Sequence, residues 1–265
     1  MEIYYAIIIF VFGLLLGSFY NVVGYRVPNN MSIVKPHSFC PKCRHELKWY
    51  ELIPVFSFII QGGKCRKCKS KISLFYPLME LLTGILFLVS YLAFGFTFEF
   101  ILSLLIVSFL VIVIVSDTNY LIIPDEITMF FLIITLIIQF IFKGYSFVLS
   151  SILYGLFMFL MMYFIMLIGK KILKEEALGG GDVKLMFFVG IILNVVTPIE
   201  LSDILSWWYL INGFFHVFLA SCLAAPFAII SVLSKKGRAI PFGPFILASL
   251  FLIYIFSFDI ISIFN

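Results

Sequence analysis

Charge is what this chain has least of. Only 12% of its 265 residues are Asp, Glu, Lys or Arg, against 63% hydrophobic, and its mean hydropathy is +1.16. A soluble globular domain is not built at that ratio, so the chain reads as an integral membrane protein. Other absences narrow the reading. No solenoid-type repeat and no low-complexity tail is visible. Met1-Glu2 precedes the first apolar run without a basic region, so an uncleaved first span is expected rather than a signal peptide. The formal charge of +4 is weak ground for a nucleic-acid partner, and none is expected.

Apolar stretches near 3–23, 77–95, 98–116, 127–142, 146–168, 183–198, 207–233 and 241–262 approach the roughly 20 residues that a membrane span needs. The expected fold is therefore an all-α polytopic membrane protein with about eight transmembrane helices. Its parts are a first span at 1–23, a polar loop domain at 24–76 and a transmembrane core at 77–265. Cytoplasmic loops are enriched in Lys and Arg, which sets the orientation. The large loop holds Arg26, Lys35, Lys42, Arg44, Lys48, Lys64, Arg66, Lys67, Lys69 and Lys71. Alternating eight spans adds Lys170, Lys171, Lys174, Lys235, Lys236 and Arg238 to that side, with Lys184 just inside the next span. Only Lys143 falls on the other side, with Glu2, Glu99, Glu200 and Asp203. The loop is thus expected in the cytoplasm, and both termini away from it.

Two carboxylates share the cytoplasmic border in this topology. Asp117 closes the third span, followed by Ile123-Pro124-Asp125-Glu126, where Pro124 turns the chain and suits the start of a helix. Asp182 follows Gly179-Gly180-Gly181 and precedes Val183-Lys184. By itself that run reads as a capped turn. Paired with Asp117, it offers two carboxylates that cannot both ionise cheaply, the arrangement of acid–base peptide hydrolysis without a metal. The glycines would let backbone approach an extended substrate. Helix capping, a pairing of Asp117 with Lys184, and proton relay in a transporter are the alternatives at this point. Asp125 competes for the first place, although a capping or first-turn role suits it better.

Four of the five cysteines form Cys40-x-x-Cys43 and Cys65-x-x-Cys68. On a reducing cytoplasmic side this spacing favours a tetrahedral structural zinc over disulfides, and a small zinc-ribbon-like loop domain is expected. His37 and His45 lie nearby with surface roles expected, and Cys222 is expected to pack within a span.

With these residues in view, the sequence resembles the type IV prepilin peptidase family, membrane aspartic proteases with a GxGD motif. The resemblance runs along nearly the whole chain. It includes Gly17-Ser18-Phe19-Tyr20-Asn21-Val22-Val23-Gly24-Tyr25-Arg26-Val27-Pro28, both cysteine pairs, Ile53-Pro54-Val55-Phe56-Ser57 and Tyr76-Pro77-Leu78-Met79-Glu80-Leu81. It continues through Asp117 with Ile123-Pro124-Asp125, Gly179–Leu185, and Ile240-Pro241-Phe242-Gly243-Pro244-Phe245. One departure is Phe75, where the family often has arginine before Tyr-Pro.

The resemblance implies an enzyme of the bacterial cytoplasmic membrane that removes the basic leader of prepilins or pseudopilins. Asp117 and Asp182 would be its catalytic pair, with Gly179, Gly180, Gly181 and Lys184 near the substrate. Many such enzymes then methylate the new N-terminus with S-adenosylmethionine. No glycine-rich nucleotide fingerprint is present, so methyl transfer rests on the resemblance, with Asn21, Tyr25 and Arg26 as candidate cofactor contacts. A peptidase lacking methyltransferase activity is one alternative. A zinc-stapled transporter or scaffold is the other.

Overall fold

A computed structural model describes residues 2–173, 179–196, 198, 207–233 and 241–256. Lys174, Glu200, Asp203, Lys235, Lys236, Arg238 and Ile240 lie outside these residues. Nearly all regular structure is helical: α1 (Glu2–Arg26), α2 (Phe56–Ile60), α3 (Phe75–Phe94), α4 (Phe98–Tyr120), α5 (Asp125–Lys143), α6 (Tyr145–Leu173), α7 (Gly180–Val196), α8 (Trp207–Leu233) and α9 (Gly243–Phe256). The chain forms two compact units, Met1–Asn119 and Tyr120–Asn265.

The helix surfaces show what solvent they were made for. α5 buries Thr128, Thr135 and Gln139 while exposing Met129, Phe130, Ile133, Ile137, Phe140 and Ile141. In water that arrangement would be inverted; against lipid tails it is the favourable one, because polar groups must find partners inside the protein. Gln139 accordingly donates to the Ile191 carbonyl of α7 at 3.1 Å, and Asn194 donates to Ser150 and Ser151 of α6 at 3.1 and 2.9 Å.

Small residues set the helix spacing. In the first unit, a Cβ on Gly13 would come within 2.8 Å of the Gly84 Cα, and one on Gly17 within 2.9 Å of the Glu80 Cα, so α1 and α3 approach backbone to backbone. Gly24 meets Val115 and Ile112 of α4 in the same way. In the second unit, a Cβ on Gly190 would stand 2.7 Å from the Gly155 Cα, which locks α7 onto α6.

Among the described residues five helices are long and apolar enough to cross a membrane: α1 with its 3-10 extension to Asn29, α3, α4, α5 and α6 up to Lys171. Among the described residues the expected count of eight is therefore corrected to five candidate spans. The segment near 183–198 forms α7, which at 17 residues reaches only about 25 Å of the roughly 30 Å hydrocarbon layer. Of the expected spans near 207–233 and 241–262, the described residues include the apolar stretches Gly213–Pro226 and Gly243–Phe256.

The loop between α1 and α3 overturns a second expectation. It is not a zinc ribbon, because it contains no sheet. Its only β pairings are two isolated antiparallel bridges, Phe39↔Glu46 and Lys64↔Lys71. Proline and glycine explain why neither extends. Pro36 and Pro41 bring no backbone N–H to the first bridge, and Gly62 and Gly63, at φ 60° and 65°, turn the chain away just before the second.

Candidate active site and metal centre

The two bridges close two copies of one turn. In each, the first cysteine N–H donates to the carbonyl five residues on (His45, Ser70), and the residue at the fifth position (Arg44, Lys69) donates back to that cysteine's carbonyl, all at 2.9 Å. Arg44 and Lys69 both take φ 58°, the left-handed conformation that curls each Cys-x-x-Cys into a knuckle. The knuckles face each other, and all four sulfurs lie within 4.8 Å of one another. Cys40 Sγ is 3.8 Å from Cys68 Sγ, and Cys43 Sγ is 3.9 Å from Cys65 Sγ. A tetrahedral zinc with Zn–S bonds of about 2.3 Å sets its sulfurs about 3.8 Å apart. The donor set fits a closed metal site with no open position.

Proton crowding among the thiols supports that fit. The Cys43 backbone N–H holds the Cys40 thiol down to about 6. The His45 backbone N–H lowers Cys43, but desolvation and the neighbouring Cys68, Cys40 and Cys65 sulfurs outweigh it and push that thiol up to about 11. One thiolate discourages the next, and a bound dication removes the conflict. Glu51 joins the knuckles from behind. Its Oε2 accepts from the Lys48 N–H at 3.0 Å and pairs with His45 Nε2 at 3.3 Å, and Arg66 Nε stands 3.9 Å from Oε1. Burial raises the Glu51 carboxyl, but Lys48, His45 and Arg66 together hold it below the usual carboxylate range. His45 thus serves Glu51 and not the metal, His37 is exposed, and Cys222 is exposed on α8.

Asp117 lies in the last turn of α4, in the first unit, 5% exposed. Asp182 lies in the first turn of α7, in the second unit, 9% exposed. Burial of a carboxylate at a helix end is costly and marks a candidate functional group. Within the second unit the glycine run shapes the surroundings of Asp182. Its N–H donates to the Gly179 carbonyl at 3.1 Å, and a Cβ on Gly179 would stand 3.1 Å from Asp182 Oδ2. Gly180 faces open space, and Gly181 packs beside Ile123. Helix α5 begins at Asp125 behind an extended Pro124, as the sequence indicates. The Asp125 side chain caps nothing; it receives Lys184 Nζ on both oxygens at 2.8 and 2.7 Å. The lysine considered as a partner for Asp117 therefore belongs to Asp125.

At the other end of α1, Asn21 (4% exposed) donates to the Tyr76 carbonyl at 3.2 Å, and Arg26 (7% exposed) donates to the Ser32 carbonyl at 3.0 Å. Tyr25 points outward. Sequence reasoning passed over Glu80, whose Oε2 accepts the Val55 N–H at 2.7 Å. The signal was present, a lone carboxylate inside an apolar run.

Comparison with known proteins places the chain. Residues 11–94 match the bacterial peptidase A24 N-terminal domain, and residues 104–229 match the type IV leader peptidase family. A prepilin leader peptidase/N-methyltransferase of Bacillus subtilis (strain 168) is 35% identical over 258 residues, covering 96% of each chain. A protein of that name from Vibrio cholerae is 31% identical over 267 residues, covering 96% of this chain and 98% of its own. One from Myxococcus xanthus is 40% identical over 192 residues, covering 72% of this chain and 56% of its own. No solved structure matches. The matched ranges take in both cysteine knuckles and both aspartates, and this chain belongs to the type IV leader peptidase family.

Proposed function

We propose that this protein is an aspartic endopeptidase of the bacterial cytoplasmic membrane that removes the basic leader of prepilins or pseudopilins, with Asp117 and Asp182 as its catalytic pair. The observation that carries the reading is the burial of both carboxylates at helix ends in a chain of this family. Membrane topology supports it. If the five candidate spans alternate across the bilayer from α1, the ends of α4 and α6 fall on the side of the 27–74 loop. Asp182 comes next after α6, so alternation gives both aspartates one membrane border, which the lysines mark as cytoplasmic.

In this reading one carboxylate is ionised and its partner keeps its proton. The ionised group takes a proton from water as the water oxygen bonds to the scissile carbonyl carbon. The protonated group donates to the carbonyl oxygen. Collapse of the tetrahedral intermediate breaks the C–N bond, and a proton passes to the departing amine. The substrate class follows from the relatives' names and from the site's position: a basic leader held at the cytoplasmic face with an apolar segment in the bilayer. The four cysteines would hold a structural zinc, and the 24–76 region would take part in N-methylating the new terminus with S-adenosylmethionine.

Co-expression with a prepilin, followed by intact mass of the product, tests this. Asp117→Asn or Asp182→Asn should leave the leader uncut while the enzyme still accumulates in the membrane, and full processing by the double variant would refute the assignment. A pre-cleaved pilin given to those variants should still gain a methyl group. A transporter using the aspartates for proton relay would leave substrate length unchanged by either substitution.

A further inference from the structure

The loop between α1 and α3 leaves a set of large apolar side chains uncovered. Trp49 is 77% exposed, and Phe56, Ile59 and Ile60 are 61%, 66% and 73% exposed. The last three sit at i, i+3 and i+4 of α2 and so share one face. The depth of that face is fixed by a hydrogen bond. Val55, immediately before α2, donates its N–H to Glu80 Oε2 at 2.7 Å. Phe75 opens α3, and Glu80 lies about 7 Å further along its axis. α2 therefore starts beside the first turns of a candidate span, not out in bulk water. Amphipathic helices seat their apolar faces about 5–10 Å into the boundary between headgroups and acyl chains, the same depth. The charge around it is complementary to an anionic leaflet. Between Val27 and Leu74 the basic residues are Lys35, Lys42, Arg44, Lys48, Lys64, Arg66, Lys67, Lys69 and Lys71, against Glu46 and Glu51.

We propose that α2, with Trp49 beside it, is an interfacial anchor that inserts its Phe56–Ile59–Ile60 face into the leaflet where α1 ends and α3 begins. The occupant is lipid, because the segment is continuous with spans on both sides and is tied to one of them at interfacial depth. The anchor lowers the metal-binding knuckles onto the membrane surface. Glu80 acts as its tether, holding Val55 at the centre of a γ-turn (φ 61°, ψ −53°), with the Phe56 N–H donating to the Pro54 carbonyl at 2.6 Å, from which α2 departs along the membrane. A β-branched residue adopts that conformation only when its surroundings enforce it. The inference rests on α1 and α3 spanning the bilayer and not on the catalytic assignment, so an Asp182→Asn variant should show it equally.

The test uses the full-length protein in lipid vesicles. The native tryptophans Trp49, Trp207 and Trp208 are replaced by Phe, and Ile60→Trp is introduced as the sole fluorophore. Lys67→Trp, on the exposed knuckle, is the comparison. Ile60→Trp should emit to the blue of Lys67→Trp and lose emission in lipids brominated near the top of the acyl chain, while Lys67→Trp responds only to aqueous acrylamide. A second protein retaining native Trp49 alone guards against disturbance by the new side chain and should respond as Ile60→Trp does. Emission that acrylamide quenches and brominated lipid does not would overturn the proposal. So would emission shielded from both quenchers, since a protein surface would then cover the face.

Discussion

Removing the metal should unfold residues 27–74 while the spans stay in place. The reason is the near absence of a core in that segment. Between Val27 and Leu74 only Cys40, Glu51, Pro54 and Cys65 are buried, that is, two thiols, a carboxylate and a proline. Ordering a chain costs about 1–2 kcal/mol per residue in backbone entropy, and this loop has little apolar burial to set against it. A structural tetrathiolate zinc contributes roughly 10–16 kcal/mol in small peptides, enough to hold such a loop. Cys65 is the most informative position, at 3% exposure and 3.9 Å from Cys43 Sγ. Serine there is nearly isosteric but does not ionise, so one of four ligands is lost. Losing even a third of the metal's contribution, about 3–5 kcal/mol, shifts the loop's folded-to-unfolded ratio by about 10²–10⁴.

Elemental analysis and native mass of the purified protein should find one zinc per chain, and none after strong chelation. Cys65→Ser should bind it far more weakly. In both metal-poor forms trypsin should cut at once among Lys64, Arg66, Lys67, Lys69 and Lys71, while helix content measured by circular dichroism hardly changes. A metal-free protein, verified by mass, whose loop resists trypsin as well as the loaded form does would refute the argument.

Two further outcomes rest on side-chain pairs already described. Lys184 and Asp125 are 55% and 63% exposed, so their ion pair should contribute under about 1 kcal/mol to stability. Lys184→Gln should barely move the melting temperature yet slow leader removal several-fold, because the pair ties the start of α5 to the turn carrying Asp182. Exchanging the charges, Asp125→Lys with Lys184→Asp, should restore the rate, and a rate indifferent to all three variants would exclude a positioning role. For Glu51, a carboxyl held below its usual range contributes stability that is present above the unfolded value and lost as pH falls through the folded one. The loop of Glu51→Gln should therefore be more protease-sensitive than wild type at neutral pH, by about 1.5–3 kcal/mol for a charge-assisted hydrogen bond, with the difference vanishing in acid. A difference that persists undiminished at low pH would point to shape and not charge.

What the sequence could disclose depended on how local the controlling physics was. Cys40, Cys43, Cys65 and Cys68 were legible because each knuckle is a short turn closed by its own hydrogen bonds, and two such turns need only meet. A sheet around them was not, because ladder growth depends on Pro36, Pro41, Gly62 and Gly63, which the cysteine spacing does not register. The start of α5 at Asp125 was legible from Pro124 alone. The partner of Lys184 was not, since Asp125 lies 59 residues away and only the packing of α5 beside α7 brings them together.

Hydropathy failed in an instructive direction. It treats every apolar run as a span, yet α7 buries Val183, Leu185, Met186, Phe188, Val189, Ile191 and Ile192 almost completely. A helix apolar all round can be apolar because protein surrounds it. The 17 residues of α7 stand at the short end of what crosses a bilayer, and Gly190 against Gly155 shows how tightly α6 already covers it. The reverse holds for α2, where five residues register in no hydropathy window, yet their exposed face sits level with the first turns of α3. Apolarity says that a side chain avoids water. Whether protein or lipid replaces the water is decided by contacts such as Gly190 on Gly155 and Val55 on Glu80, which no window along the sequence contains.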